Sequence, residues 1–305
     1  MLAIYITQTI KNYQKILSSF FEMLGFIALI YEILSIFIPE QINNIHFSFG
    51  DLILVCIFFM IVSIIKNIPR LKRKYNIKNR DINITIIIGD IFKQSGAKVI
   101  PTNTTFDTSM ENDFISEKSI QGQFQVNNFR NNLSRLDEML ECSLHNTDIK
   151  EKLTDNRKTK KNRYECGTVS EINYMNNRYY FLGLADVNKN GTPKAQYENI
   201  LIALQGLWTY LEEHKHIDKL VLPILGTGRA GIAEATRMKV IKDTISSFVA
   251  FSSEVKITDN LILCIHPKDL INNKIDIDEV FEYVDYSSKY KYDQIDNHKD
   301  GKPIE

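Results

Sequence analysis

Cysteine is the first scarcity in this chain of 305 residues: only Cys56, Cys142, Cys166 and Cys264 occur, and no two of them stand at C-x-x-C spacing. That scatter argues against a zinc knuckle and a disulfide framework, and a reducing compartment is the simplest setting for the soluble part. An excess of one charge is missing too. The 37 basic and 37 acidic residues cancel, so nothing global draws the chain to nucleic acid and only local runs of charge can matter. No internal repeat divides the sequence. Its length accommodates one core of roughly 150 to 200 residues with something smaller beside it.

What the chain does have, at its start, is two strongly apolar runs. Residues 16–38 read ILSSFFEMLGFIALIYEILSIFI, long enough to cross a hydrocarbon core of roughly 30 Å. Residues 52–65, extended to about 48–65, approach the lower limit of roughly 17 residues for a second span. The sequence therefore predicts a membrane segment over 1–65 made of two transmembrane helices. Lys11 and Lys15 precede the first run, seven basic residues from Lys66 to Arg80 follow the second, and the connector 39–51 has none. That bias puts both ends in the cytoplasm. A cleaved signal peptide is disfavoured, because the run is too long and no small-x-small site follows it. Glu22 and Glu32 lie within the first span and fall within about 80° of one line, so they share one broad face, as near-interface groups or as an oligomer contact or pore lining.

Residues 66–80 read as a basic juxtamembrane linker lying against lipid headgroups, 81–290 as a ligand-binding domain and 291–305 as a polar tail. Within the domain, strands are expected at 82–88, 98–100, 164–169, 178–184, 219–225 and 256–265. Helices are expected at 124–142, 196–214, 233–251 and 275–286. This alternation indicates an α/β sandwich.

The richest local pattern is VLPILGTGRAGI over residues 221–232. A hydrophobic strand ends in a loop whose Gly226, Gly228 and Gly231 leave no side chain between backbone N–H groups and a ligand, and a helix expected near Ala233 adds partial positive charge. Such a loop holds phosphates. The spacing formally matches a dinucleotide fingerprint, but no acid ends a following strand about 20 residues on, which argues against nicotinamide redox chemistry. Two further strand ends can complete a site. Asp90 can accept a hydrogen bond from an exocyclic amine, although it is equally a helix N-cap, and Ile91 can pack beside it. Asn103 can meet a ribose hydroxyl or simply close a turn.

In order and spacing, Gly89-Asp90-Ile91, Val99-Ile100-Pro101-Thr102-Asn103 and Leu222 to Gly228 resemble the ADP-ribose-binding macro domain family over roughly residues 80–288. The resemblance implies a three-layer α/β/α sandwich preceded by the two-helix hairpin. It also implies that Asp90 holds the adenine amino group, with Ile91 as a backbone contact, and that Asn103 meets the distal ribose. The loop Leu225, Gly226, Thr227, Gly228, Arg229, Ala230 and Gly231 takes the diphosphate; read as a residue, Arg229 directly after the turn is either a second charge contact or an outward-pointing side chain. The chain departs from hydrolytic members because 104–124 is long and almost glycine-free, with Gly122 as the one further backbone position that could face a phosphate. Two apolar spans before such a domain resemble the membrane-spanning effectors of the Thoeris anti-phage system, the ThsA type. That likeness implies a non-enzymatic, two-pass protein of the bacterial inner membrane with no catalytic residue, cofactor or metal. Its ligand is an ADP-ribose derivative, a histidine conjugate made by a TIR-domain partner; self-association and membrane damage follow, and nucleic acid has no part. The rival readings are a tethered ADP-ribosyl hydrolase, in which Asn103 and Asp107 orient water, and a passive ADP-ribose-binding module.

Overall fold

A computed structural model describes residues 2–40, 48–154, 160–188, 190–214, 216–228, 232, 234–272 and 274–291. The chain forms two compact units, Met1–Arg70 and Leu71–Glu305.

The first unit is helical: α1 (Leu2–Lys11), α2 (Tyr13–Phe37) and α3 (Phe49–Lys66). The segments α2 and α3, with mean hydropathy 1.9 and 2.4, are long and apolar enough to be candidate membrane spans. They pack together through a polar clasp. Ser63 donates its hydroxyl to the Ile16 carbonyl, and Asn67 Nδ2 donates to Ser19 Oγ at 3.2 Å. Such bonds hold helices together where burial of apolar surface cannot. Ser48 and Asp51 cap α3 reciprocally, each side chain bonding the other's backbone N–H, which satisfies donors the helix start leaves free. Glu22 and Glu32 are both exposed on α2.

The second unit is built on a mixed sheet in the order β1 (Lys72–Asn76), β2 (Asn83–Ile88), β10 (Thr258–Ile265), β9 (Ile217–Pro223), β3 (Ala97–Asn103), β7 (Asn177–Val187) and β6 (Val169–Tyr174), with β8 (Pro193–Lys194) paired to β7, while β4 (Glu151–Lys152) and β5 (Asn162–Arg163) pair separately. Its centre is parallel. Strands β2 (Asn83–Ile88), β9 (Ile217–Pro223) and β10 (Thr258–Ile265) are nearly continuous apolar runs, the pattern expected when both faces are covered. One face carries α4 (Ile120–Phe129) and α5 (Leu133–Ser143), where Phe124 meets Phe181 at 5.3 Å between ring centroids. The other carries α6 (Tyr197–Glu213) and α7 (Arg237–Ser252), where Trp208 packs on Phe248 at 5.5 Å. After α8 (Pro267–Ile271), α9 (Ile277–Tyr286) runs alongside α7, tied to it by Lys242 to Glu279. The result is a three-layer α/β/α sandwich, as the sequence predicts.

Several boundaries differ from expectation. The supposed basic linker 66–80 contains β1 (Lys72–Asn76), antiparallel to β2. Lys72, Arg73 and Lys74 are exposed while Tyr75 and Ile77 are buried, so the lysines blunt a sheet edge, a common guard against edge-to-edge pairing. The single helix expected over 124–142 is two, because Arg130 to Asn132 interrupt it and Asn132 caps the second by accepting from Arg135 N. No strand occupies 164–168. Instead β6 (Val169–Tyr174) and β7 (Asn177–Val187) form a hairpin whose turn residues Met175 and Asn176 both have positive φ, 47° and 56°, matching the twist of the flanking strands.

One irregularity matters for function. Strand β3 (Ala97–Asn103) pairs with β9 only at Ala97 and Lys98, whereas on its other side it follows β7 to Asn103. Pro101, which has no N–H to offer, lies where the β9 side has already opened. A register shift between Thr102 and Asn103 re-aims the last side chain, as bulges beside sites often do.

Candidate functional site

Where β3 and β9 part, a cleft of about 890 Å³ opens at the carboxyl ends of the parallel strands, the expected location for ligands in such sheets. Gly89 and Asp90 follow β2, Asn103 ends β3, the Gly226 turn follows β9, and His266 follows β10. All border this cleft. A second cleft of about 900 Å³ lies at the opposite edge, beside Ser95, Asn177 and Lys219. There, ligand atoms of His216, Asp218 and Asp259 lie within 4.8 Å of one another, but Lys256 Nζ, 2.7 Å from Asp259, already neutralises that carboxylate.

Asn103 is the most telling side chain. It is 5% exposed, and its Oδ1 accepts from Thr105 N at 3.2 Å, Thr105 Oγ1 at 2.8 Å and Asp107 N at 3.1 Å. Those bonds fix the amide, leaving Nδ2 buried with no hydrogen-bond partner among the described residues. A buried unpaired donor costs roughly 1–3 kcal/mol, a cost that an acceptor entering the cleft would offset.

Asp90 occupies both of its expected roles in part. One carboxylate oxygen accepts from Phe92 N at 2.9 Å and caps the short turn Ile91–Lys93. The other takes no hydrogen bond among the described residues, and the group is exposed at the cleft. Ile91 is buried against Val221 and Ile262. Beneath it, burial and the Asp90 carboxylate push the Cys264 thiol up to about 12. Since only the thiolate reacts, iodoacetamide at about pH 8 is expected to label exposed Cys142 and spare Cys264 in the folded protein. Peptide mass spectrometry reads the difference, and prompt labelling of Cys264 would contradict its burial.

In the loop after β9, Gly226 has φ 69°, and a Cβ there would lie 2.6 Å from Ile200 Cδ1, so the turn requires glycine. Thr227 Oγ1 bonds the Ile224 carbonyl at 3.3 Å, and a Cβ at Gly228 would meet nothing within 4 Å, which leaves room above its amide. Leu225 is fully buried and anchors the turn from below. Arg229, Ala230 and Gly231 lie outside the described residues. The following helix begins at Arg237, capped by Thr236, not near Ala233, so its N-terminal charge stands further from the glycines than the sequence suggests.

Two expected residues have other tasks. Gly122 does not border the cleft: its amide donates to the Ser119 hydroxyl at 2.9 Å, and an added Cβ would lie 2.0 Å from the Ser116 carbonyl. Close packing therefore explains this glycine. Asp107 is buried, with one oxygen accepting from Ser109 N at 3.0 Å and the other from Lys160 N at 2.9 Å. It clamps the 104–119 segment and, at 2% exposure and off the cleft lining, is not placed to orient water there. Sequence reading missed Arg237, whose guanidinium borders the cleft, pairs with Asp269 and donates from Nη2 to the Thr227 carbonyl at 3.3 Å. Its only local signal was a basic residue directly after a helix cap.

The sequence profile of the family described as "Thoeris protein ThsA, Macro domain" matches residues 84–266, more than half of the chain. No curated protein matches it. Among solved structures, the Oceanobacillus iheyensis macrodomain with ADP is similar at 13% identity and TM-score 0.42, covering 69% of this chain and 97% of that one. An asparagine-to-alanine variant of the same macrodomain gives 14% and 0.45, covering 70% and 92%. A lysine-to-glutamate variant of tomato leucine aminopeptidase gives 14% and 0.40, covering 68% and 35%.

Proposed function

We propose, from the premise that this chain belongs to the family of the Thoeris ThsA macro domain, that the cleft at the strand ends is the receptor for an ADP-ribose-derived signal. The observation that carries this reading is the buried Nδ2 of Asn103, which has no hydrogen-bond partner among the described residues and is a donor suited to a ribose hydroxyl. The backbone at Gly226 to Gly228 takes the diphosphate, and the free oxygen of Asp90 accepts from the adenine amine beside Ile91. The signal is a histidine conjugate supplied by a TIR-domain enzyme. Helices α2 and α3 form a two-pass hairpin in the bacterial inner membrane with both termini cytoplasmic. Occupancy favours self-association and membrane disruption, which requires that the ligand bind the assembled state better than the unassembled one. The burial of Asp107 away from the cleft lining supports this receptor over a hydrolase.

Calorimetric titration of the full-length protein in detergent micelles with ADP-ribose and its amino-acid conjugates tests the reading, followed by dye release from liposomes carrying the protein. Saturable binding and ligand-dependent leakage are expected. Absence of binding to every derivative defeats the proposal, and binding without leakage reduces the protein to a passive module.

A further inference from the structure

The cleft contains a cation that no motif announced. Arg237 is the first residue of α7; its side chain is 19% exposed and that of its partner Asp269 is 15% exposed. Lys118, Lys268 and Lys274, by contrast, stand exposed at the rim. The half-buried position matters, because screening by solvent weakens an exposed charge far more.

Arg237 makes two directional contacts: Nε bonds Asp269 Oδ1, and Nη2 donates to the Thr227 carbonyl. The second fixes the rotation of the Thr227–Gly228 peptide. In a trans peptide the C=O and N–H point in opposite directions, so holding the Thr227 oxygen also fixes the Gly228 N–H, at the position with open space around it. The fork of a guanidinium suits this two-point hold, and its remaining N–H groups match an oxyanion in a way an ammonium cannot.

We propose that Arg237 is the positioning cation of the diphosphate subsite: it sets the Gly226–Gly228 turn through Thr227, offers its free N–H groups to the phosphate oxygens, and is oriented by Asp269. The proposal deepens the functional reading above and rests on it for the identity of the anion.

The test titrates full-length protein in micelles with three probes: ADP-ribose, inorganic pyrophosphate and adenosine. In Arg237→Gln, ADP-ribose and pyrophosphate are expected to weaken about 10- to 100-fold, while adenosine stays within about twofold. The salt dependence of pyrophosphate binding becomes shallower in the same variant, and Arg237→Lys falls between it and wild type. Asp269→Asn alters pyrophosphate affinity in wild type but not in Arg237→Gln, since coupled residues are not additive. Equal weakening of all three probes in both Arg237 variants assigns the residue to the scaffold and overturns the proposal, as does unchanged pyrophosphate binding. If ADP-ribose binds wild type and Arg237→Gln alike, the receptor reading stands and the Arg237 assignment fails. If pyrophosphate depends on Arg237 but ADP-ribose does not bind wild type, the assignment stands and the receptor reading fails. Wild type binding none of the three defeats both.

Discussion

Replacing Gly226 by glutamate is expected to abolish ADP-ribose binding, with a loss of at least about 100-fold, and three separate effects contribute. The backbone at this position is left-handed, φ 69°, which costs a residue with a Cβ roughly 1–2 kcal/mol. That Cβ would then press on Ile200, whose side chain is fully buried, so that its neighbours must give as well. Finally, the carboxylate would be forced against buried Ile200 and Ile232 or would push the turn out of its shape. Gly226→Ala separates the effects, since it carries the backbone and steric terms without the charge. It is expected to lose roughly tenfold in affinity and to lower the unfolding midpoint by a few degrees, about 2–4 °C per kcal/mol for a domain of this size. Calorimetry and thermal unfolding on the two variants measure both quantities. Undiminished affinity in Gly226→Glu would remove the turn from the site.

The second large effect belongs to Asn103→Asp. The substitution is isosteric, and one carboxylate oxygen can keep accepting from Thr105 N, Thr105 Oγ1 and Asp107 N. The Nδ2 donor is lost and a buried negative charge takes its place, so repulsion of an anionic ligand adds to the missing hydrogen bond. Hydrogen bonds of this kind contribute about 1–3 kcal/mol when a buried partner would otherwise go unpaired, so a weakening of roughly 10- to 100-fold is expected, with the loop intact. Asn103→Leu serves as the contrast, because it removes the acceptor as well and releases the backbone of residues 105 and 107, so it is expected to lower stability in addition to binding. Affinity within about twofold of wild type in Asn103→Asp would show that Nδ2 meets no ligand.

Much of this was legible in the chain because the relevant signals are local. The unbroken apolar runs of β2, β9 and β10 announce doubly covered parallel strands, and the spacing of Leu204, Leu207, Trp208 and Leu211 announces the buried face of α6. The strand ends at Asp90, Asn103 and Gly226 were found for the same reason. What escaped depends on partners distant in sequence. Lys72 to Lys74 look like a lipid-facing run until β2 is seen to pair with them. Gly122 looks available for a phosphate until the Ser116 carbonyl is found pressed against it. Arg237 carries no meaning until Asp269 and Thr227 arrive from two other connections. The β6–β7 turn was missed because Met175-Asn176 lacks the glycine that usually advertises left-handed hairpin residues.

The brief pairing of β3 with β9, limited to Ala97–Leu220 and Lys98–Val221, divides the platform into two panels, one holding β1, β2, β10 and β9, the other β3, β7, β6 and β8. Beyond those two pairs no ladder bonds join the panels, so a molecule seated in the gap would act as a rivet, touching Gly226 on one panel and Asn103 on the other. Occupancy of that seam would then be expected to stiffen the domain across it.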